Sequence, residues 1–149
     1  MSSEARETSA SELADRSAVI DVVNRYATAL DSRDWDLLDR VFAPDVKAEF
    51  GRSYAGCEAV KELVRSMLGG CGPTQHLLAN HRVEVQGDEA RCVCSVRAFH
   101  AGRGPNAGET YELFGEYHDR LRRTEAGWRI VSRRMVVSHE TGTRAVLRG

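Results

Sequence analysis

The 149-residue sequence predicts an α+β domain in which helices lead and a meander of antiparallel strands follows. Two observations carry that prediction. Apolar residues recur at spacings of three, four and seven through the N-terminal half, as on helices with one buried side. The C-terminal half instead holds four runs bearing Val, Arg, Tyr and Cys, separated by Gly- and Asp-bearing turns.

Residues 1–10 are rich in Ser, Glu and Ala without period and read as a flexible N-terminus, leaving 11–149 as a single domain. Helix one spans 11–30: Leu13, Ile20, Val23, Ala27 and Leu30 form its stripe, widened by Val19, Val22 and Tyr26. Ser32, Asp34 and Asp36 then offer caps and early acids for a second helix carrying Leu37, Leu38, Val41 and Phe42 and stopped by Pro44. Val46–Phe50 reads as a short strand, followed by a turn through Gly51 to Gly56. A third helix at 58–68 carries Val60, Leu63, Val64, Met67 and Leu68 and ends at Gly69-Gly70-Cys71-Gly72-Pro73. Strands are expected at 75–86, 90–100, 110–123 and 128–140, in one sheet that curls over the apolar stripes of the helices.

Composition excludes several function classes. A chain of this size removes roughly 70% of its unfolded surface from water, enough for a real core. Its 21 Lys+Arg against 22 Asp+Glu give a net charge of −1, with no basic footprint for nucleic acid or anionic lipid. No run of about 18 apolar residues is present, and MSSEARETSASEL lacks the basic end and apolar core of a signal peptide, so a cytoplasmic protein is expected. Cys57, Cys71, Cys92 and Cys94 show no metal-binding spacing and read as reduced core thiols, and no metal or cofactor is expected.

Five histidines are present, and what distinguishes one from another is partnership. Asp31 leaves helix one four residues after Ala27 on the buried stripe, and His76 opens the first long strand after the Gly-Pro break. If the sheet wraps the helix, the carboxylate meets the imidazole, fixes its tautomer and leaves the other ring nitrogen to move a substrate proton. Bland readings stand beside this one. Asp31 also suits a cap of the second helix, His76 a strand end bonded to a turn, and Tyr26 a packed core phenol. Cys92, Cys94, Val96, Ala98 and His100 share one face of their strand, and such small residues leave room for a ligand.

The stretch Tyr26-Ala27-Thr28-Ala29-Leu30-Asp31-Ser32-Arg33-Asp34-Trp35-Asp36-Leu37-Leu38, continuing to Val41-Phe42-Ala43-Pro44-Asp45, resembles the start of SnoaL-like proteins of the nuclear transport factor 2-like superfamily. Thr74-Gln75-His76 and Gly127-Trp128-Arg129-Ile130 resemble later marks of that family, and the likeness spans residues 12–140. The pattern is most similar to scytalone dehydratase, with bile-acid 7α-dehydratase and hexachlorocyclohexane dehydrochlorinase as relatives.

The resemblance implies a cone-shaped curved sheet packed against three N-terminal helices, a cystatin-like α+β barrel with a deep pocket. It implies an Asp31–His76 catalytic pair, with His100 as a second pocket histidine and Tyr26 as a further catalytic residue, and Phe50, Tyr117 and Trp35 against the substrate. Leu30 and Phe50 stand where scytalone dehydratase has its two water-holding tyrosines, and Gly115 and Tyr117 fall near its polar pair, so another substrate is implied.

The function so implied is a cofactor-independent lyase or isomerase acting on a small polycyclic, aromatic or steroid-like molecule, with His100 or Tyr26 protonating the departing oxygen. Rival readings are a non-catalytic binding or assembly module, and an epoxide hydrolase drawing on Arg97, Arg120 or Arg134. A homo-oligomer, trimer or dimer, is also expected.

Overall fold

The computed structural model describes residues 6–148, so the expectation for residues 1–5 of the N-terminus lies outside the described residues. Helix α1 (Ala10–Ser32) starts one residue before its expected bound, where the Ser9 side chain accepts the Glu12 amide. Its buried stripe begins at Val19. Leu13, assigned to that stripe by spacing, remains 57% exposed, because the first turns are anchored by polar contacts instead. Asp15 is gripped by both terminal nitrogens of Arg123 at 2.8 Å, and Arg16 donates to the Val83 carbonyl. The helix ends on Arg33, a non-glycine residue in the left-handed region (φ 58°) whose amide caps Ala29 and Leu30.

The second helix is shorter and tighter than its sequence suggests. It is a 3₁₀ segment, Trp35–Arg40, capped by Asp34, which accepts the Leu37 amide. Val41 and Phe42 do not extend it: strand β1 (Phe42–Glu49) already starts at Phe42 and runs through Pro44. Proline is tolerated there because the register of β1 on its parallel partner is irregular between Phe42 and Lys47. A three-residue strand β2 (Ser53–Ala55), hidden in what reads as a turn, folds back on β1 around Gly51 (φ 76°). Helix α2 (Cys57–Leu68) buries Cys57, Val60, Val64 and Leu68 and stops at Gly69.

Four long strands follow, β3 (Thr74–Gln86), β4 (Glu89–Ala101), β5 (Thr110–Thr124) and β6 (Gly127–Gly142), each antiparallel to the next. Strand β1 joins β6 in parallel, giving a mixed, unclosed six-stranded sheet of order β2-β1-β6-β5-β4-β3. Bulges curve it. On β5 the register shifts between Phe114 and Gly115, and a Cβ at Gly115 would stand 2.2 Å from the Val136 carbonyl oxygen, an approach only glycine permits.

The inner face of the sheet covers α1 and α2, and the fold is the α+β cone that the family resemblance implies. Alternation sends Cys92, Cys94, Val96, Ala98 and His100 inward from β4, as their spacing predicts. All four cysteines are free and buried. A C-terminal 3₁₀ segment, Arg144–Arg148, tucks Val146 and Leu147 against the wide end, where the Cys71 thiol donates to the Val146 carbonyl. No described helix is long and apolar enough to cross a membrane.

Candidate active site

The end of α1 and the start of β3 meet at the mouth of the cone. Asp31 Oδ1 lies 2.7 Å from His76 Nδ1, and Asp31 Oδ2 accepts the His76 backbone amide at 2.8 Å. Thr74 adds a third donor, its hydroxyl reaching Oδ1 at 3.0 Å. Burial opposes the carboxylate charge and is the largest single influence on it. The hydrogen bonds from His76 and Thr74 together outweigh that cost and hold the Asp31 carboxyl below its ordinary range. An ionised, acceptor-only carboxylate requires Nδ1 of His76 to carry a proton, so in the neutral imidazole it is Nε2 that keeps the lone pair.

The His76 side chain is only 4% exposed and lines a cavity of about 380 Å³. Most of that wall is apolar: Leu30, Phe50, Leu63, Met67, Leu68, Leu113 and Met135 contribute to it. Polar groups converge at a few places, among them Tyr26, Tyr117 and His100, the arrangement expected of a ligand pocket. The His76 and His100 rings meet edge to face with centroids 5.5 Å apart.

His100 enters the cavity as a hydrogen-bond acceptor. Its Nδ1 faces the Tyr111 carbonyl at 3.1 Å and therefore bears the proton, leaving the Nε2 lone pair. Burial, reinforced by the neighbouring His76, pulls its pKa down to about 4. A neutral imidazole so arranged does not donate from Nε2, which removes His100 from the proton-donor role that the resemblance assigned it.

Below the histidines, the narrow end of the cone holds a pair that sequence reasoning missed. Arg133 chelates Asp119 through Nε and Nη2 at 2.7 and 2.8 Å, and both side chains are fully buried. The guanidinium carbon sits 4.0 Å from the Tyr117 ring centre and 4.3 Å from that of Tyr26, a double cation–π contact. Burial disfavours the charge on Arg133, but Asp119 more than compensates and keeps it cationic. Burial likewise raises the phenol pKa of Tyr26 and, further, of Tyr117, so both hydroxyls stay protonated donors at neutral pH. A signal for this pair did exist: Asp119 and Leu121 continue the inward alternation from Tyr117, and a charge on the inward face demands a buried partner.

Of the residues singled out from sequence, Tyr26, Phe50, His76, His100 and Tyr117 line the same cavity, and Asp31 stands behind His76. Trp35 does not. The 3₁₀ segment that carries it packs against α1, α2 and β1, and its ring is partly buried against the core rather than lining the cavity. The arginines considered for epoxide hydrolysis also lie elsewhere: Arg97, Arg120 and Arg134 are exposed on the outer sheet face, Arg97 paired with Glu112. The sequence reading also missed a polar cluster in the cavity wall, Tyr111, Glu140 and Arg144. Tyr111 donates to Glu140 at 2.5 Å, and Glu140 pairs with Arg144 at the rim. Among the described residues, no group of three or more His, Cys, Asp or Glu side chains is placed to hold a metal ion.

The helix-closed, curved sheet around a pocket is the α+β cone of the nuclear transport factor 2-like proteins, and in this chain an Asp–His pair faces that pocket. The chain belongs to the SnoaL-like domain family, whose profile matches residues 11–134. It is 33% identical over 133 residues to the uncharacterized protein Rv2910c of Mycobacterium tuberculosis, covering 84% of this chain and 86% of that one. A provisionally assigned aromatic ring hydroxylase from Novosphingobium aromaticivorans superposes with a TM-score of 0.82 at 26% identity, over 91% of this chain and 97% of the other. Hexachlorocyclohexane dehydrochlorinase LinA-type3 from Novosphingobium barchaimii shares the fold with a TM-score of 0.76 at 19% identity, over 88% and 91% of the two chains.

Proposed function

We propose that the cavity is the active site of a cofactor-independent lyase or isomerase of the dehydratase type, acting on a small polycyclic, aromatic or steroid-like molecule. One observation carries the proposal: the Asp31–His76 bond of 2.7 Å, set in an apolar chamber with Nε2 left unengaged by Asp31. Nε2 takes a proton from the carbon next to a substrate carbonyl. The ring becomes an imidazolium, which the adjacent carboxylate stabilises. Electron density moves onto the carbonyl oxygen, where the Tyr26 and Tyr117 hydroxyls supply hydrogen bonds, strengthened by the Arg133 charge behind their rings. In a dehydration, the same imidazolium returns its proton to a departing hydroxyl on the next carbon, which leaves as water, and His76 is restored. The His100 lone pair accepts a hydrogen bond from a substrate hydroxyl and holds it in register.

Dehydrochlorination, the activity in the name of one fold neighbour, is an elimination of similar outline. At 19% identity that neighbour lends the fold alone, and the site geometry supports the chemistry. A binding module would have no need to hold a carboxylate and imidazole in tight contact.

The test is a panel of bicyclic and tricyclic β-hydroxyketones, incubated with the protein and followed by mass spectrometry for loss of water. Turnover of a panel member by the wild type, reduced by roughly 10²-fold or more in His76→Ala with its fold intact by circular dichroism, supports the mechanism. Equal turnover by both proteins, or saturable binding of panel members with no conversion, overturns it, the latter in favour of a binding module.

A further inference from the structure

Arg33 is the residue on which helix α1 ends, and its conformation is unusual: a side chain other than glycine in the left-handed region, where glycine serves best. Its guanidinium accounts for its presence there. Nη1 donates to the Thr74 hydroxyl at 2.7 Å and to the Leu30 carbonyl at 2.7 Å, and Nη2 donates to the Gly72 carbonyl at 2.8 Å. One side chain therefore ties the last turn of α1, which carries Asp31, to the segment entering β3, which carries His76.

The bond to Thr74 has a direction. Arginine only donates, so Thr74 Oγ1 accepts from it, and the single hydroxyl hydrogen is turned toward Asp31 Oδ1, 3.0 Å away. We infer that Arg33 is a positioning residue that, through Thr74, holds the Asp31 carboxylate aligned on His76. Every acceptor direction this relay fills on Asp31 favours the ionised form, and an ionised Asp31 keeps the proton on Nδ1 of His76. The Arg33–Thr74 pair thus helps hold in place the Asp31 oxygen that takes the Nδ1 hydrogen bond. A left-handed residue at this position is strain retained where the surrounding contacts over-determine it, a pattern that clusters at functional sites.

The importance of this relay to turnover rests on the proposed acid–base function, but its effect on Asp31 does not, and the test separates the two. Arg33→Gly deletes the guanidinium while supplying the residue best suited to the backbone, so folding is retained; Thr74→Val removes the hydroxyl at nearly equal volume. The Asp31 carboxyl carbon is followed by ¹³C NMR as a function of pH, and the His76 ring nitrogens by ¹⁵N NMR at neutral pH, in the wild type and each variant.

The expected result is an upward move of the Asp31 midpoint in both variants, a shift of the His76 Nδ1 resonance as its carboxylate partner loosens, and no further change in the double variant beyond that in Thr74→Val alone. An unchanged Asp31 midpoint in Arg33→Gly and in Thr74→Val overturns the inference. With a converted panel substrate in hand, kcat should fall and KM hold in Arg33→Gly. A shifted Asp31 titration with undiminished kcat would leave the relay standing and sink the acid–base function instead.

Discussion

Asp31 engages His76 twice, through the ring nitrogen at 2.7 Å and through the backbone amide at 2.8 Å, so one carboxylate fixes both the imidazole and the strand that carries it. Catalytic pairs on separate elements ordinarily depend on the whole fold for their spacing. Here the nucleus of the site is also a clamp between α1 and β3.

Asp31→Asn should therefore separate chemistry from architecture. An amide retains size and one acceptor oxygen but cannot stabilise an imidazolium or enforce the Nδ1–H tautomer. The expected loss in kcat is about 10³- to 10⁴-fold, by analogy with the equivalent change in a serine-protease triad. Steady-state kinetics at neutral pH, beside a thermal melt, measure the two effects. A loss in kcat below about tenfold would show that the carboxylate is not a partner in proton transfer.

His100 makes stability depend on pH in a defined window. Its pKa falls from an ordinary 6.5 to about 4 on folding, so between those values the unfolded chain binds the extra proton. Stability contributed by the neutral buried ring is full above pH 6.5 and is lost as pH falls toward 4. The difference corresponds to at most about 3 kcal/mol. Urea denaturation of wild type and His100→Gln at pH 7 and pH 4.5 measures it, and the variant should lose distinctly less stability on acidification. Parallel losses would mean the ring titrates alike in both states.

The Arg133–Asp119 pair should behave as a buried charge pair with unequal halves. Asp119→Asn leaves a fully buried guanidinium without its counter-charge, at an expected cost of about 3–5 kcal/mol by chemical denaturation. Replacing both together, Asp119→Leu with Arg133→Met, should recover most of that stability, because the desolvation cost disappears with the charges. If the double variant is as unstable as Asp119→Asn, the pair's value lies in packing between Tyr26 and Tyr117 rather than in charge.

The parts legible in the sequence were those governed by a local period. Val19 to Leu30 on α1, Val60 to Leu68 on α2 and the inward set from Cys92 to His100 all follow side-chain repeats of 3.6 or 2, and the structure buries most of them, with Ile20 and Leu63 half-buried and Met67 exposed. The elements that diverged were decided by partners far along the chain. Phe42 joins a strand because Ile130 and the strand around it lie alongside, not because of anything in Val41-Phe42-Ala43-Pro44. Ser53–Ala55 becomes a strand only because β1 offers an open edge.

The site divides in the same way. Asp31 and His76 were identified because each sits at an element end where family likeness and periodicity agree. Arg33 and Thr74 entered only as parts of the family-like stretches, and no role was read for them because it depends on a hydrogen-bond direction between segments about 40 residues apart. Trp35 was assigned to the substrate by likeness alone, and its ring packs against the core outside the cavity.

Cys92 and Cys94 stand side by side on the inner face of β4, with thiols pushed up to about 12 and about 11, first by burial. A thiol that is neither ionised nor reachable does not react with alkylating agents while the sheet is closed over it. The two sulfurs are thus built-in reporters of breathing: their labelling rate in the native protein counts how often the middle of the cone opens, and a ligand that seals the chamber would slow that clock.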